Sequence, residues 1–228
     1  TASTDMKWIP YGPGAIMLHI ADRLGEKAFL ISQRFIEELE RHPPFGLLEI
    51  VPSFTRILLE FDERLVPNPM AIVPDLELQL KRAPKVRATK SSVKEISAVY
   101  DGPDLERVAE LNRLTVAEVC RRHAAVTYRV YMLGFSPGFP YLGLLDRRLH
   151  TPRLPTPRTA ITPGSIGIGG EHTGIYTVPS PGGWNIIGHV LEPIFDPGRG
   201  SSPDGEEAMF LLKPGDRVKF VPVKEKTQ

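Results

Sequence analysis

Glycine and proline are concentrated in one stretch of the chain. Residues 134–200 contain 13 of the 20 glycines and 10 of the 23 prolines in the 228-residue sequence. Proline interrupts helices, and glycine adopts the positive φ angles that tight turns require. This stretch therefore excludes long helices and predicts short strands joined by tight turns.

The overall composition excludes several classes of protein. Hydrophobic residues make up 41% and charged residues 24%, which is typical of a globular protein rather than a disordered one. A formal net charge of +1 argues against a nucleic-acid partner. No apolar run approaches the roughly 20 residues that cross a bilayer, and no signal peptide is evident at the start. We therefore expect a cytoplasmic protein without a membrane or nucleic-acid partner.

The first part of the sequence alternates between strand and helix patterns. The apolar run 15–20 has the length of a strand, and an apolar stripe at helical spacing predicts a helix over 26–42. Two further strands are predicted over 47–51 and 56–61. This order predicts a small α/β unit.

Residues 78–94 contain no acidic side chain and are interrupted by Pro84. We interpret this segment as a solvated linker, with a docking strip for an acidic partner as the alternative. It predicts an N-terminal α/β domain over 1–88 and a second domain over 89–228. The basic side chains are Lys81, Arg82, Lys85, Arg87, Lys90 and Lys94.

Two helices are predicted at the start of the second domain. The first follows Asp101-Gly102-Pro103, and Thr115 with Glu118 has the spacing of a capping box that begins the next. A strand is predicted over 127–132. At the end, 209–212 and 217–223 predict a closing hairpin.

Common catalytic motifs are absent. The sequence has no phosphate-binding P-loop, no G-x-S-x-G nucleophile motif and no H-E-x-x-H spacing among its six histidines, so no metal site is predicted. The single cysteine, Cys120, lies on an apolar helix face and is interpreted as a structural thiol.

The glycine-rich stretch is also rich in aromatic residues. Tyr141, Tyr176 and Trp184 can wall a small pocket in which Arg158 holds an anion by two parallel hydrogen bonds. Ser165 and Thr173 would supply neutral hydrogen bonds, and His172 is the best candidate for acid–base chemistry. A barrel whose corners need glycine and whose core needs aromatic residues explains the same pattern equally well.

Several spaced runs of this stretch resemble one known family, the KipI/allophanate hydrolase subunit 1 family. That family includes the B subunit of bacterial ATP-dependent 5-oxoprolinase. A fainter match covers Glu49-Ile50-Val51-Pro52-Ser53-Phe54. The matching runs are G-F-S-P-G-F-P-Y-L-G from Gly134, P-R from Pro157, P-G-S-I-G-I-G-G from Pro163, T-G-I-Y from Thr173 and S-P-G-G-W-N-I-I-G from Ser180.

The resemblance implies a fold, a reaction and partners. The implied fold is α+β: a small α/β N-terminal domain followed by a cyclophilin-like β-barrel domain. The implied reaction opens the lactam ring of 5-oxoproline to glutamate, with ATP and Mg as cosubstrate and no tightly bound cofactor. An allophanate hydrolase subunit 2-like protein of the carboxyltransferase type (the C subunit of 5-oxoprolinase) is the implied partner, with the A subunit as a further candidate. Without a P-loop here, ATP is expected to bind elsewhere in the complex or in another way.

The resemblance also sets expectations for the site. His172 stands where the family usually has glutamine, and His189-Val190 also departs from the family pattern. We predict catalytic roles for His172 and Arg158. Alternatives are a KipI-type inhibitor of a sensor histidine kinase and a component of urea or allophanate metabolism. The predicted substrate-binding residues are Phe139, Tyr141, Ser165, Thr173, Tyr176 and Trp184.

Overall fold

The computed structural model describes residues 6–84, 92–201 and 205–224. The chain divides into two compact units, Thr1–Lys90 and Ser91–Gln228. Within the described ranges, no helix is long and apolar enough to cross a membrane. The predicted boundary between residues 88 and 89 lies outside the described residues, so the two predicted domains stay a prediction.

In its described residues, 6–84, the first unit contains a four-stranded antiparallel sheet and two α-helices. The spatial strand order is β1-β2-β4-β3. Buried side chains of β2, β4 and α1 form its core, including Leu18, Leu59 and Phe35. The predicted strands and the long helix are confirmed. The elements are β1 (Lys7–Pro10), β2 (Ala15–His19), α1 (Glu26–Arg41), β3 (Leu47–Ser53), β4 (Arg56–Phe61) and α2 (Val73–Arg82).

The linker interpretation of residues 78–94 is wrong at both ends. Residues 78–82 belong to α2, because Leu76 and Leu80 lie four positions apart and both are buried. The Arg34 guanidinium donates hydrogen bonds to the carbonyls of Leu80 and Ala83, which satisfies the end of this helix. At the other end, Val93 begins a strand. Residues 85–91 lie outside the described part.

Seven strands of the described second unit close into a barrel, in the order β10-β7-β6-β13-β5-β12-β9, while β8 and β11 form a separate two-stranded ribbon. The predicted barrel is confirmed, and its likeness to cyclophilin stays a prediction. The strands are β5 (Val93–Val99), β6 (Thr127–Leu133), β7 (Pro140–Gly143), β8 (Arg158–Ile161), β9 (Ser165–Gly169), β10 (His172–Ile175), β11 (Ser180–Gly182), β12 (Asn185–Val190) and β13 (Arg217–Pro222).

Two helices, α3 (Leu105–Asn112) and α4 (Val116–Ala125), precede β6. The capping box is confirmed: Thr115 accepts from the Glu118 amide, and the Glu118 carboxylate accepts from the Thr115 amide. Before α3, Gly102 lies against β12 so closely that a Cβ there would overlap the Ile186 carbonyl. Glycine is required at this contact.

The predicted closing hairpin is wrong. Strand β13 pairs in parallel with β5 and antiparallel with β6. The residues before it form a 3₁₀ turn, Gly205–Met209, and Phe210 then pairs with Phe195. The amide of Gly215 donates to the Val130 carbonyl of β6, and β13 begins two residues later beside that strand. Long-range pairing therefore replaces the local hairpin.

Candidate functional site

Strand β9 separates two differently packed faces of the barrel wall. Ile166 and Ile168 are fully buried in the barrel core. The residues between and after them, Gly167 and Gly169, lie against aromatic rings: a Cβ on Gly169 would lie 2.5 Å from the indole Nε1 of Trp184. Successive residues of a strand point to opposite faces, so the rings cover the outer face of the wall.

The rings on this outer face pack mainly edge to face. The Phe139 ring centroid lies 5.0 Å from that of Tyr141, 5.2 Å from Tyr176 and 5.5 Å from Trp184. Such T-shaped pairs are favoured by the charge distribution of aromatic rings. A Cβ on Gly174 of β10 would lie 2.9 Å from the Phe139 ring. We call Phe139, Tyr141, Tyr176 and Trp184 the aromatic cluster.

This result resolves the two interpretations of the glycine-rich stretch. The aromatic cluster packs with Ile161 and Ile186 as a group separate from the barrel core, which is mostly aliphatic around β9 and β10. The glycines are needed because the rings approach the strand backbone directly, rather than only because the barrel turns corners.

A small cavity of about 100 Å³ remains beside the aromatic cluster. Arg153 is the charged residue of its lining, and its Cζ lies 6.0 Å from the centroid of the Trp184 ring. Phe135, Gly182 and Gly183 complete the lining.

Phe135 lies at the edge of this cavity in an uncommon backbone conformation. Its φ is +69°, in the left-handed region that favours glycine, and 59% of its surface is exposed. Its ring nevertheless packs edge to face on Phe139, with centroids 5.5 Å apart. Strained exposed residues of this kind concentrate at binding sites, which supports this cavity as the functional region.

The first unit contains a larger cavity of about 540 Å³. Phe45, Leu65 and Ile72 are part of its mainly apolar lining, and Asp75 is its charged residue. The resemblance motifs lie mainly in the second unit, which also contains the smaller cavity and the aromatic cluster. We therefore place the candidate site at the smaller cavity.

Arg158 is not where the prediction places it. It does not line the cavity: its Nη2 donates to Asp104 Oδ1 at 2.8 Å. The other oxygen of Asp104 accepts a hydrogen bond from the Ile186 amide at 2.6 Å. This ion pair connects β8 to the start of α3 and to β12. The sequence interpretation missed it because the partners are 54 positions apart.

Ser165 and Thr173 also lie away from the cavity. Both are buried, and Thr173 points into the barrel because its strand neighbours His172 and Gly174 take the outer face. The Thr173 hydroxyl accepts from His123 Nε2 at 2.9 Å and donates to the Gly167 carbonyl at 2.9 Å. Thr173 therefore stabilises the barrel interior, whereas Ser165 alternates with Ile166 and shares the outer face of β9 with Gly167 and Gly169.

His123 is the centre of this interior network. Because the Thr173 hydroxyl gives its proton to the Gly167 carbonyl, it accepts from His123 Nε2, and His123 Nδ1 then accepts from the Tyr100 hydroxyl at 2.8 Å. Complete burial lowers the pKa of His123 to about 3. The imidazole is therefore neutral at physiological pH.

His172 begins β10 and is half-buried, outside the cavity lining. Burial lowers its pKa, the Glu171 carboxylate opposes this shift, and His150 and Arg153 add to it. A neutral imidazole can accept a proton at neutral pH. The acid–base role of His172 stays a prediction.

Two further residue types bear on possible chemistry. The Cys120 thiol is partly buried among core residues, and burial raises its pKa, which makes it a weak nucleophile. In the ranges that the structure describes, no three His, Cys, Asp or Glu side chains are grouped so that they could hold a metal ion.

Comparison with known proteins identifies the family. The model of the carboxyltransferase domain, subdomain C and D, matches residues 6–203. The chain belongs to this family. It is 35% identical to the 5-oxoprolinase B subunit of Bacillus subtilis over 94% of this chain and 92% of that protein. It is 40% identical to the 5-oxoprolinase B subunit of Escherichia coli O157:H7 over 79% of this chain and 80% of that protein.

Solved structures show the same fold. The protein TTHA0988 superposes with a TM-score of 0.78 at 38% identity, covering 94% of this chain, and this chain spans 40% of that protein's length. The urea amidolyase of Kluyveromyces lactis superposes with a TM-score of 0.76 at 21% identity, covering 96% of this chain and 15% of that one. The second similarity concerns the fold alone.

Proposed function

We propose that this chain is the B subunit of an ATP-dependent 5-oxoprolinase, which opens the lactam of 5-oxoproline to glutamate. The observation that carries the proposal is the similarity to proteins of that name over most of both lengths, at 35% and 40% identity. The urea amidolyase of Lachancea kluyveri is a more distant relative, 25% identical over 13% of its own length. Urea metabolism is therefore the less favoured function.

The chemistry explains why such a reaction would consume ATP. A lactam carbonyl is a poor electrophile, and transfer of the γ-phosphoryl group of ATP to its oxygen makes the carbon easier to attack. Water then adds at that carbon, the ring nitrogen leaves with a proton, and a further water releases phosphate. The products are glutamate, ADP and phosphate.

The cavity volume limits what this chain can bind alone. About 100 Å³ suits part of a single small ring, whereas pockets for larger ligands measure about 300 Å³ or more. We therefore place the ATP site and its Mg on a partner protein. The carboxyltransferase-like C subunit, with the A subunit as a further candidate, would complete the site over the exposed ring of Phe135.

Two predicted catalytic residues receive different roles in this proposal. His172, neutral at pH 7, would accept or pass a proton beside the cavity. Arg158 would act as a positioning residue, because its ion pair with Asp104 fixes the ribbon that carries Gly182 near the rings.

The test is reconstitution of this chain with the candidate partner proteins. We expect ATP hydrolysis that depends on 5-oxoproline and on every required component, and glutamate formed in proportion to ADP. A His172→Asn variant should lower the turnover number with little change in the KM for ATP. Turnover with urea but not 5-oxoproline, or 5-oxoproline turnover without this chain, would contradict the proposal.

A further inference from the structure

We propose that Arg153 binds the carboxylate of a small ring-shaped substrate at the mouth of the aromatic cavity. The inference rests on the proposed function and adds a specificity residue to it. The sequence prediction gave this task to Arg158, whose Nη2 donates to Asp104, whose Nη1 is buried, and which does not line the cavity.

The backbone on both sides of Arg153 is held in place. The Pro152 carbonyl accepts from Asn185 Nδ2 at 3.0 Å, and the Leu154 amide donates to the Gly183 carbonyl at 2.7 Å. Both contacts join this segment to the residues around Trp184. An exposed arginine on a fixed backbone has fewer orientations to lose on binding, which favours recognition of an anion.

The charge balance favours an anion. Among the residues that the structure describes, no acidic side chain lines the cavity. In the described ranges, no hydrogen bond or ion pair engages the Arg153 guanidinium, whereas Arg107 donates to Asn185 and Arg122 pairs with Asp146. Burial raises the pKa of the hydroxyls of Tyr141 and Tyr176, so both stay neutral. Among the described residues, the Arg153 guanidinium thus contacts the Trp184 ring but has no hydrogen-bonding or ionic partner, and the other residues of the cavity lining are uncharged.

The aromatic cluster indicates which chemical group accompanies the carboxylate in the ligand. A guanidinium near the Trp184 ring can form paired hydrogen bonds to a carboxylate, while ring faces accept an apolar or weakly polar ring. The ligand class that fits is a small cyclic amide with one carboxylate, such as 5-oxoproline. A neutral cyclic amide would lack the Arg153 contact.

The experiment uses the reconstituted complex with Arg153→Gln, Arg153→Lys and the control Arg147→Gln. Arg147 is an exposed arginine outside the cavity lining. We expect Arg153→Gln to raise the KM for the lactam substrate about 10- to 100-fold, with the KM for ATP unchanged. Arg153→Lys should recover part of the loss, and Arg147→Gln should match the wild type.

A neutral inhibitor distinguishes a binding role of Arg153 from a purely structural one. The inhibition constant of neutral 2-pyrrolidinone should be the same in wild type and Arg153→Gln, whereas a distorted cavity would weaken it as well. An active Arg153→Gln complex with the wild-type KM for the lactam substrate overturns the inference and leaves the proposed function intact.

If the wild-type complex shows no turnover with 5-oxoproline, the proposed function is wrong, but the Arg153 inference can still be tested. The anion site is then tested on the full chain by ligand-detected NMR with 5-oxoproline and 2-pyrrolidinone as probes. The inference is supported if the wild-type chain binds 5-oxoproline but not 2-pyrrolidinone, and if Arg153→Gln no longer binds 5-oxoproline. It is overturned if the wild-type chain gives equal binding signals for both probes, or no binding signal for either.

Discussion

The two faces of the barrel wall use the same strands for different purposes. Inside, Ile166, Ile168 and Thr173 are fully or almost fully buried, and each polar group of the Thr173 network has a partner. Outside, the alternate positions are Gly167, Gly169 and Gly174, whose missing side chains leave room for aromatic rings. The inner face is thus expected to determine stability, and the outer face to determine binding.

This comparison is tested most strongly on the inner face. Ile168→Ala should lower the free energy of unfolding by about 2–5 kcal/mol, because it leaves a cavity in a close-packed core. Urea denaturation measures the change. The exposed Leu191→Ala is the control and should change it by less than about 0.5 kcal/mol.

If the inner and outer faces of the barrel wall have separate roles, Ile168→Ala must leave substrate binding unchanged. The folded fraction of Ile168→Ala should keep the wild-type KM for the lactam substrate in the complex. A large rise in this KM without loss of stability would mean that the two faces are not separate.

The neighbouring position tests the outer face. A methyl group at Gly169 would lie within 2.6 Å of three atoms of the Trp184 ring, so Gly169→Ala must displace that ring. We expect a loss of about 1–3 kcal/mol in stability together with a higher KM for the lactam substrate. Gly25→Ala is the control for the KM, because among the described residues a Cβ there would meet nothing within 4 Å; since Gly25 is the N-cap of α1, this variant is expected to lose some stability of its own. An unchanged KM would argue that Trp184 does not contact substrate.

The interior histidine predicts a pH dependence of stability. Its pKa is about 3 in the folded protein and near 6.5 when unfolded, so below pH 6.5 the unfolded chain binds a proton that the folded chain does not. The His123 contribution is fully present above pH 6.5 and is lost as pH falls toward 3, at up to about 1.4 kcal/mol per pH unit. We expect the free energy of unfolding, measured by urea denaturation between pH 7 and pH 5, to fall less with decreasing pH in His123→Gln than in the wild type. An equal fall in both proteins would show that the pKa of His123 is the same in the folded and unfolded protein.

Local patterns predicted much of the fold. Apolar patterns predicted α1 and the strands β2, β3 and β4 of the first unit but not β1, and Thr115 with Glu118 predicted the start of α4. The parallel pairing of β13 with β5 was missed, because the partners are separated by more than 100 residues and nothing local indicates them.

The site was predicted only in part for a related reason. The sequence analysis named the aromatic residues of the candidate site because glycine and aromatic residues are interleaved in the sequence. Strand alternation could have placed Thr173 inside the barrel, since Ile175 shares its face. The choice between Arg153 and Arg158 depends on Asp104, far away in sequence, and no local pattern reveals that ion pair.

The central claim is that substrate binds at the outer aromatic cluster. Its most direct test is ¹⁹F NMR of the complex containing 5-fluorotryptophan in this chain, with the Trp184 signal assigned by a Trp8→Phe variant. We predict that the Trp184 signal shifts on titration with 5-oxoproline, with a midpoint that matches the KM. An unchanged Trp184 signal at a concentration that saturates turnover would contradict the claim.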